Sequence, residues 1–412
     1  MAAIPRPEPA GPKIHRLGPR TRVCTPETKR PWVRLAKRGL RAVPPGLAPT
    51  SRVPMTRPPL PQFLVPVWFQ GRRQLLSLPL LGLLACGPKP DLVVYCALDQ
   101  VFSEELVRDY EKQSGLVVEA LYDQEHQKTV GLVGQLIAES AHPRCDVFWN
   151  NEIVQTVRLA RLGMLQPYDS PSAQDIPATF RDQDHLWTGF AARARIVIVN
   201  TELADPARIH DMQDLFDTYW QGKVGVARPL TGTTLTHAAA MYTSLGQERA
   251  DAFWKRIASH QHEDPPPVHV VRSNGQSMTL VRSGELAAAY TDTDDFNVAR
   301  LSGAPVVAVY PNQAAGPNGE EPLGTLLIPN TIAIMKGAPH LKEARAFVDW
   351  VLSAEIEERL AKARSAQIPV RPNVPRPDHV KSDFKIMQVD YNQVGAELAE
   401  HTKYLKALYL DR

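Results

Sequence analysis

Residues 291–295 read TDTDD, which sets three carboxylates, Asp292, Asp294 and Asp295, within four positions directly after the apolar run LAAAY. Like charges this close destabilise a fold unless water, a cation or hydrogen bonds compensate. Carboxylate oxygens suit hard cations, and they equally accept hydrogen bonds from an ammonium group or from sugar hydroxyls. In an extended stretch Asp292 and Asp294 share one face while Asp295 points the other way, so a pair of carboxylates is expected rather than a triple. The plain alternative is an ordinary acidic turn, since clustered charges are usually solvated.

A second stretch offers the opposite chemistry. Thr231-Gly232-Thr233, in PLTGTT, opens a run with helical character, TLTHAAAMY. The first N–H groups of a helix have no carbonyl partner, and together with the helix dipole they favour an anion there. Threonine hydroxyls can donate, and glycine lets the backbone come close. The competing reading is a helix N-cap with threonine side chains. Arg193 and Arg195 alternate onto one face of RARIVIVN, where they reach an anion or make salt bridges. Trp149 ends an apolar run and either lines a cleft or packs. His126, His185 and His237 lack ligand spacing. Neither a Ser-His-Asp arrangement nor a phosphate-binding glycine loop of the Walker type emerges.

These residues need elements to position them. DLVVYC, LVVEALY, CDVFWN, RARIVIVN, KVGVA, LAAAY and VVAVY read as strands. Between them VFSEELVRDYEKQSG, HQKTVGLVGQLIAES, EIVQTVRLARLG, DMQDLFDTYWQG, GTTLTHAAAMYTSL and QERADAFWKRIASH read as helices. SMTLVRSG leads into the LAAAY strand, LGTLLIPNTIAIMKG looks like a return strand pair, and HLKEARAFVDWVLSAEIEERLAKA is helical to about Ala363. Strands alternating with helices imply a mainly parallel sheet covered on both faces. Ligands of such sheets sit at the carboxyl ends of the strands. Four of those ends are chemically rich: Asp99, the group Asn150-Asn151-Glu152, PLTGTT, and TDTDD.

The formal charge of +3 conceals a division. Residues 1–54 carry twelve Lys/Arg and two acids, and residues 55–85 add Arg57, Arg72 and Arg73. The remainder has 32 basic and 42 acidic residues, and an acidic body argues against nucleic acid as a partner. GRRQLLSLPLLGLLACG explains the boundary. Arg72 and Arg73 precede a mostly apolar run, Leu75–Ala85, too short for a helix to span a bilayer, which takes ~20 residues, but suited to a signal-peptide core. It ends in Leu83-Leu84-Ala85-Cys86, which resembles a bacterial lipobox whose cysteine is acylated. Met55 is then the expected start, residues 55–85 the signal peptide, and 1–54 a non-native or disordered upstream segment. A mitochondrial-type presequence is the alternative for that segment. Cys96 and Cys145 lie at opposite ends of parallel strands, too far apart for a bridge whose Cα atoms stand ~5.5 Å apart, so two free thiols are expected.

From Asp91 to about Val374 the chain resembles the type II periplasmic solute-binding proteins of ABC importers, nearest the ferric-iron-binding branch. The resemblance runs through LVVYCALD, CDVFWNNEIVQTVRLARLGMLQPYDSP, RARIVIVN, GVARPLTGTTLTHAAA, VVRSNGQSMTLVRSGELAAAYTDTDDFNVAR, IAIMKGAPHLKEARAFVDWVLSAEIEERLA and IPVRPNV. It implies an α/β fold of two lobes, each a mainly parallel sheet flanked by helices, joined by crossing hinge strands. Residues 86–195 with 325–375 would form lobe 1, and 196–324 with 376–412 lobe 2 and a C-terminal helix. The family's anion seat falls on Thr231, Gly232, Thr233 and Asn274, with Arg195 nearby. Its cation side falls on Asp99, Asn151, Asp292, Thr293 and Asp294, with Asp99 and Asp294 as candidate metal ligands. Adjacent tyrosines usual in that branch are replaced by Thr293 and Asp294, and Tyr290 falls within the strand.

The resemblance, taken with the lipobox at Cys86, therefore implies a monomeric, lipid-anchored binding protein, held at the membrane in the periplasm or at the cell surface and delivering its ligand to an ABC permease and ATPase. It implies no cofactor beyond Fe(III) as cargo, carried with a synergistic anion. An aminoalkylphosphonate or a phosphorylated small molecule bound without metal is the rival ligand. An extracytoplasmic phosphoester hydrolase using Asp292 and Asp294 as acid and base, and a sensory module acting through a partner, are the readings from other classes.

Overall fold

Most of the short runs rich in Val, Ile and Ala become strands that are buried on both sides. A computed structural model describes residues 89–123, 130–315, 319 and 321–410; the expected leader, Cys86 and His126 lie outside the described residues. In the first half of the sheet, β1 (Leu92–Cys96) pairs in parallel with β2 (Val118–Tyr122) and β3 (Val147–Asn150). The connections are α1 (Gln100–Ser114), closed by Gly115 in the left-handed conformation, and α2 (Val130–Ala138). After α3 (Val154–Arg161) and the two-residue β4 (Leu165–Gln166) comes β5 (Thr188–Asn200), the longest strand. In the second half, β6 (Val224–Ala227) lies in parallel between β7 (Val268–Val271) and β8 (Ala288–Asp292). The helices there are α4 (Gly232–His260), α5 (Asn274–Ser283) and α6 (Thr293–Leu301).

β9 (Val306–Val309) and β8 run antiparallel to β5, and β10 (Leu327–Met335) inserts antiparallel between β3 and β5. The main path of the ten-stranded sheet is β2-β1-β3-β10-β5-β8-β6-β7, with β4 on β10 and β9 on β5. β5 belongs to both halves. Its residues up to Ala194 are in register with β10, and from Arg195 onward it pairs with β8. Successive side chains of a strand enter opposite cores. Val93 and Tyr95 pack on one face, and Leu92, Val94 and Cys96 on the other. Such strands read as unbroken apolar runs because neither face meets water. The outer layer is completed by α7 (Leu341–Val351), α8 (Ala354–Lys362) and α9 (Tyr391–Tyr409). Helix α9 packs against both α3 and α4. Its approach to α3 is so close that a Cβ on Gly395 would stand 2.3 Å from Val157 Cγ1.

Several local readings change. LGTLLIPNTIAIMKG supplies one strand, β10, rather than a return pair, because the chain runs on through Pro329-Asn330 with a register shift of the β-bulge kind instead of turning back. DMQDLFDTYWQG forms two 3₁₀ turns, Gln213–Phe216 and Thr218–Trp220. The carboxylate of Asp217 accepts the Tyr219 N–H there, so the side chain competes with an α-helix for the backbone. SMTLVRSG is the body of helix α5, closed by Gly284. The two helices read on either side of Gly246 are continuous apart from a break at that residue, whose φ is +77°. The final long helix divides into α7 and α8, the second capped by the Ser353 hydroxyl. Cys96 and Cys145 are both buried and unbridged.

Candidate functional site

Five strand ends converge on one narrow cleft of about 40 Å³, room for a few waters or one small ion. Asp99 comes from the turn after β1 and Asn151 from the end of β3. Arg228 and Thr231 to Thr234 follow β6, Arg272 to Asn274 follow β7, and Asp292, Asp294 and Asp295 close β8. Arg193 reaches in from β5. Of the residues singled out in the sequence, Asp99, Asn151, Thr231, Gly232, Thr233, Asn274, Asp292 and Asp294 all face this cleft. Thr293 and Arg195 do not.

The threonine turn is built as an anion would require. Thr231 is extended at the N-cap, and Gly232 adopts φ +57°, a left-handed conformation that favours glycine. The chain thereby turns sharply into α4 with its first N–H groups at the cleft. The side chains around it are committed elsewhere. Thr233 Oγ1 donates to Asp292 Oδ2 at 2.5 Å and accepts from Arg195 Nη1 at 3.3 Å and Asn274 Nδ2 at 2.8 Å. The same Asn274 amide nitrogen donates to Asp292 Oδ2 at 2.9 Å, and Asn274 Oδ1 accepts from Thr234 Oγ1 at 3.0 Å. Thr234 in turn accepts from Arg195 Nη2 at 3.4 Å. A hydroxyl has one proton and an amide two, so every side-chain donor of Thr233, Thr234 and Asn274 is already used. In this arrangement the groups left to meet an anion are the backbone N–H groups of the α4 turn, the hydroxyls of Thr231 and Ser273, and the nearby arginines.

Arg195 is the centre of that network. Its guanidinium is fully buried, with Nη1 2.7 Å from Asp292 Oδ1, and it lies over the Tyr290 ring at 4.8 Å. The expected contact of Arg195 with an anion is therefore corrected: it stands behind the cleft wall and holds Asp292. Thr293 is likewise turned inward, where its hydroxyl accepts the Ala194 N–H at 3.1 Å and its residue is 1% exposed. Its small hydroxyl serves the β5 backbone where the sheet changes partners. Asp292 itself lines the cleft, but its two oxygens are engaged by Arg195, Thr233 and Asn274.

The extended reading of TDTDD also changes. The strand ends at Asp292 and α6 starts at Thr293, so Asp294 and Asp295 occupy the first turn of a helix. Acids are favoured there by the helix dipole, and an Asp at the N-cap followed by acids is a helix-start signal that could have revealed it. Consequently all three carboxylates converge, with one oxygen from each lying within 4.8 Å of the others. Asp294 is 3.5 Å from Arg193 Nε, and Arg193 Nη2 donates to Asn330 Oδ1 at 3.1 Å. Asp295 accepts from the Thr291 hydroxyl at 2.6 Å.

Arg228 and Arg272 were not singled out in the sequence. They stand one position beyond β6 and β7, which pair in parallel up to Ala227 and Val271. That placement was the available signal, since ligands meet parallel sheets at carboxyl ends. Around the cleft, Glu152 is 1% exposed and accepts from Asn150, Thr236 and the N–H groups of Val154 and Gln155; burial pushes its carboxyl pKa up. Tyr290 lies under the cleft in the core, stacked on His237. Burial raises its phenol pKa, and its side chain does not line the cleft. Trp149 packs against Phe190 and Phe347. His185 is a surface residue beside Asp169.

The family model for bacterial extracellular solute-binding proteins matches residues 105–388. Iron uptake protein A1 of Synechocystis is 23% identical over 327 residues, covering 77% of this chain and 87% of that protein. A putative 2-aminoethylphosphonate-binding periplasmic protein of Salmonella typhi is 27% identical over 256 residues, covering 61% of this chain and 70% of its own length. Among solved structures, the ferric binding protein from Campylobacter jejuni superposes with a TM-score of 0.67 at 21% identity, covering 77% of this chain and 99% of that one. This likeness establishes the fold, that of the two-lobed type II periplasmic-binding-protein class, and here β5 pairs with strands of both halves. With its core, its cleft and most of its length accounted for, the chain belongs to the family of bacterial extracellular solute-binding proteins.

Proposed function

We propose that this chain is the extracytoplasmic binding component of an ABC importer and that its cargo brings an anion to the turn at Thr231–Thr234. The observation that carries this reading is the shared cleft: the N-terminus of α4 and the carboxylates of Asp99, Asp294 and Asp295 line one small space. The cargo favoured by the iron-uptake relative is iron, which in this reading is carried as ferric iron with a synergistic anion. In that case Asp294 and Asp99, joined by Asp295, supply hard oxygen ligands and the anion completes the sphere from the α4 side. A monomer tethered through acylated Cys86 in the periplasm or at the cell surface, with lobes dividing near Arg195, handing cargo to a permease and ATPase, belongs to the same proposal. Membership of a family of binding proteins favours capture over turnover.

A second cargo, an anionic organic solute bound without metal, is favoured by one observation. Among the described residues no phenol lines the cleft, whereas Arg193, Arg228 and Arg272 do, and cations near a ferric site oppose it. The two separate in one experiment. Purified protein is stripped with a chelator and followed by thermal unfolding. Ferric iron with phosphate or citrate should restore protection that added chelator removes. A phosphonate should protect equally in the presence of chelator. A cargo at 100 times its Kd adds ~2.7 kcal/mol. Absence of protection by every iron and organophosphate combination would sink the proposal.

A further inference from the structure

We infer that Arg228 and Arg272 form a clamp for a phosphate-type dianion, which sets the charge and shape of the anion this cleft accepts. The inference rests on the anion seat proposed above and deepens it. Four arginines surround the cleft, and two of them are neutralised: Arg195 by Asp292 at 2.7 Å and Arg193 by Asp294 at 3.5 Å. Among the described residues, the side chains of Arg228 and Arg272 make neither an ion pair nor a hydrogen bond, and Arg228 Nε is buried without a partner. Each follows the last paired residue of adjacent parallel strands, and the Arg228 N–H donates to the Val271 carbonyl at 2.8 Å. The two side chains thus start from neighbouring positions and line the same space as the first turn of α4.

Since the donors of Thr233, Thr234 and Asn274 are consumed internally, two guanidiniums, the helix N-terminus and the hydroxyls of Thr231 and Ser273 are the cationic and donor groups left for cargo. A carboxylate carries one charge and two acceptor oxygens. A phosphate or phosphonate group offers up to two charges and three oxygens, which matches two forked guanidiniums plus backbone N–H groups. The same chemistry comes from two sources: free phosphate accompanying ferric iron, or the phosphate of an organic ester.

Calorimetric titration of the metal-stripped protein near neutral pH tests this with three probes: inorganic phosphate, glycerol phosphate and acetate, each with and without ferric iron. The phosphate species should bind at least tenfold more tightly than acetate. R228Q and R272Q should each weaken phosphate binding at least tenfold while unfolding at the parent's urea midpoint, since neither side chain holds the fold together. Binding of inorganic phosphate only with iron assigns the free anion, and binding of the ester without metal assigns an organic phosphate; both uphold the clamp. Equal affinity for acetate and phosphate, or phosphate binding untouched in both variants, overturns it. If that happens while iron with citrate still protects the protein, the clamp falls and the proposed function stands. If no cargo of any kind protects, both fall.

Discussion

Replacing Asp292 by Asn tests whether this residue is a ligand or the support of the anion seat. Asp292 is 4% exposed, and Arg195 Nη1 lies 2.7 Å from its Oδ1 with a side chain that is 0% exposed. On its other oxygen it receives Thr233 and Asn274. The amide of Asn presents an oxygen to one side and an NH₂ to the other, so either the guanidinium or the Thr233–Asn274 pair meets a donor. Breaking a buried pair from one side leaves an uncompensated charge, at a cost of about 3–5 kcal/mol. With an m-value of ~3 kcal/mol/M for a chain of this size, the urea midpoint should fall by ~1–1.7 M. Tryptophan fluorescence of the cargo-free protein reads this directly. Arg195→Gln should cost a similar amount. The double variant should cost less than the two singles combined, because contacting residues are not additive. A midpoint within about 0.3 M of the parent, combined with lost cargo binding, would refute the supporting role and return Asp292 to the set of direct ligands.

Other tests address the scaffold. Gly395→Ala should destabilise by about 1–3 kcal/mol, since the new methyl would meet Val157 at 2.3 and 2.8 Å; chemical denaturation measures it, and a neutral result would mean α9 is not pressed onto α3. His237 is buried, its pKa is held well below 6.5 by desolvation and by Arg195, and its Nδ1 has no hydrogen-bond partner. The unfolded chain therefore takes up a proton below pH 6.5 that the native state refuses, and stability drops as pH falls through that value, by up to ~1.4 kcal/mol per pH unit. His237→Phe keeps the packing on Tyr290 and Trp254 and should remove this component, so its stability relative to the parent should rise as pH falls from 6.5 to 5; a constant difference would refute it. Glu357→Ala removes the acceptor shared by the Ala191 and Val370 N–H groups and Arg371. A loss of about 3–5 kcal/mol in urea unfolding is expected, and a loss under about 1 kcal/mol would show that the buried arginine finds other acceptors.

The sequence by itself determined the architecture, because burial of a parallel sheet on both faces leaves its mark as short apolar runs separated by amphipathic helices. It also determined which strand ends bear chemistry: Asp99, Asn151, the Thr231–Thr234 turn and TDTDD are local in sequence, and all reach the cleft. What it could not show is how donors and charges are paired across distance. Arg195 meets Asp292 over 97 positions and Thr233 over 38, and no spacing rule links them. Only the tertiary structure decided that Arg195 and Thr293 turn inward, that Thr233 and Asn274 spend their donors on Asp292, and that Arg228 and Arg272 line the cleft with no side-chain partner among the described residues. The physical reason is that a buried charge must find its partner wherever the fold brings one, whereas a strand or a helix is dictated by its neighbours along the chain.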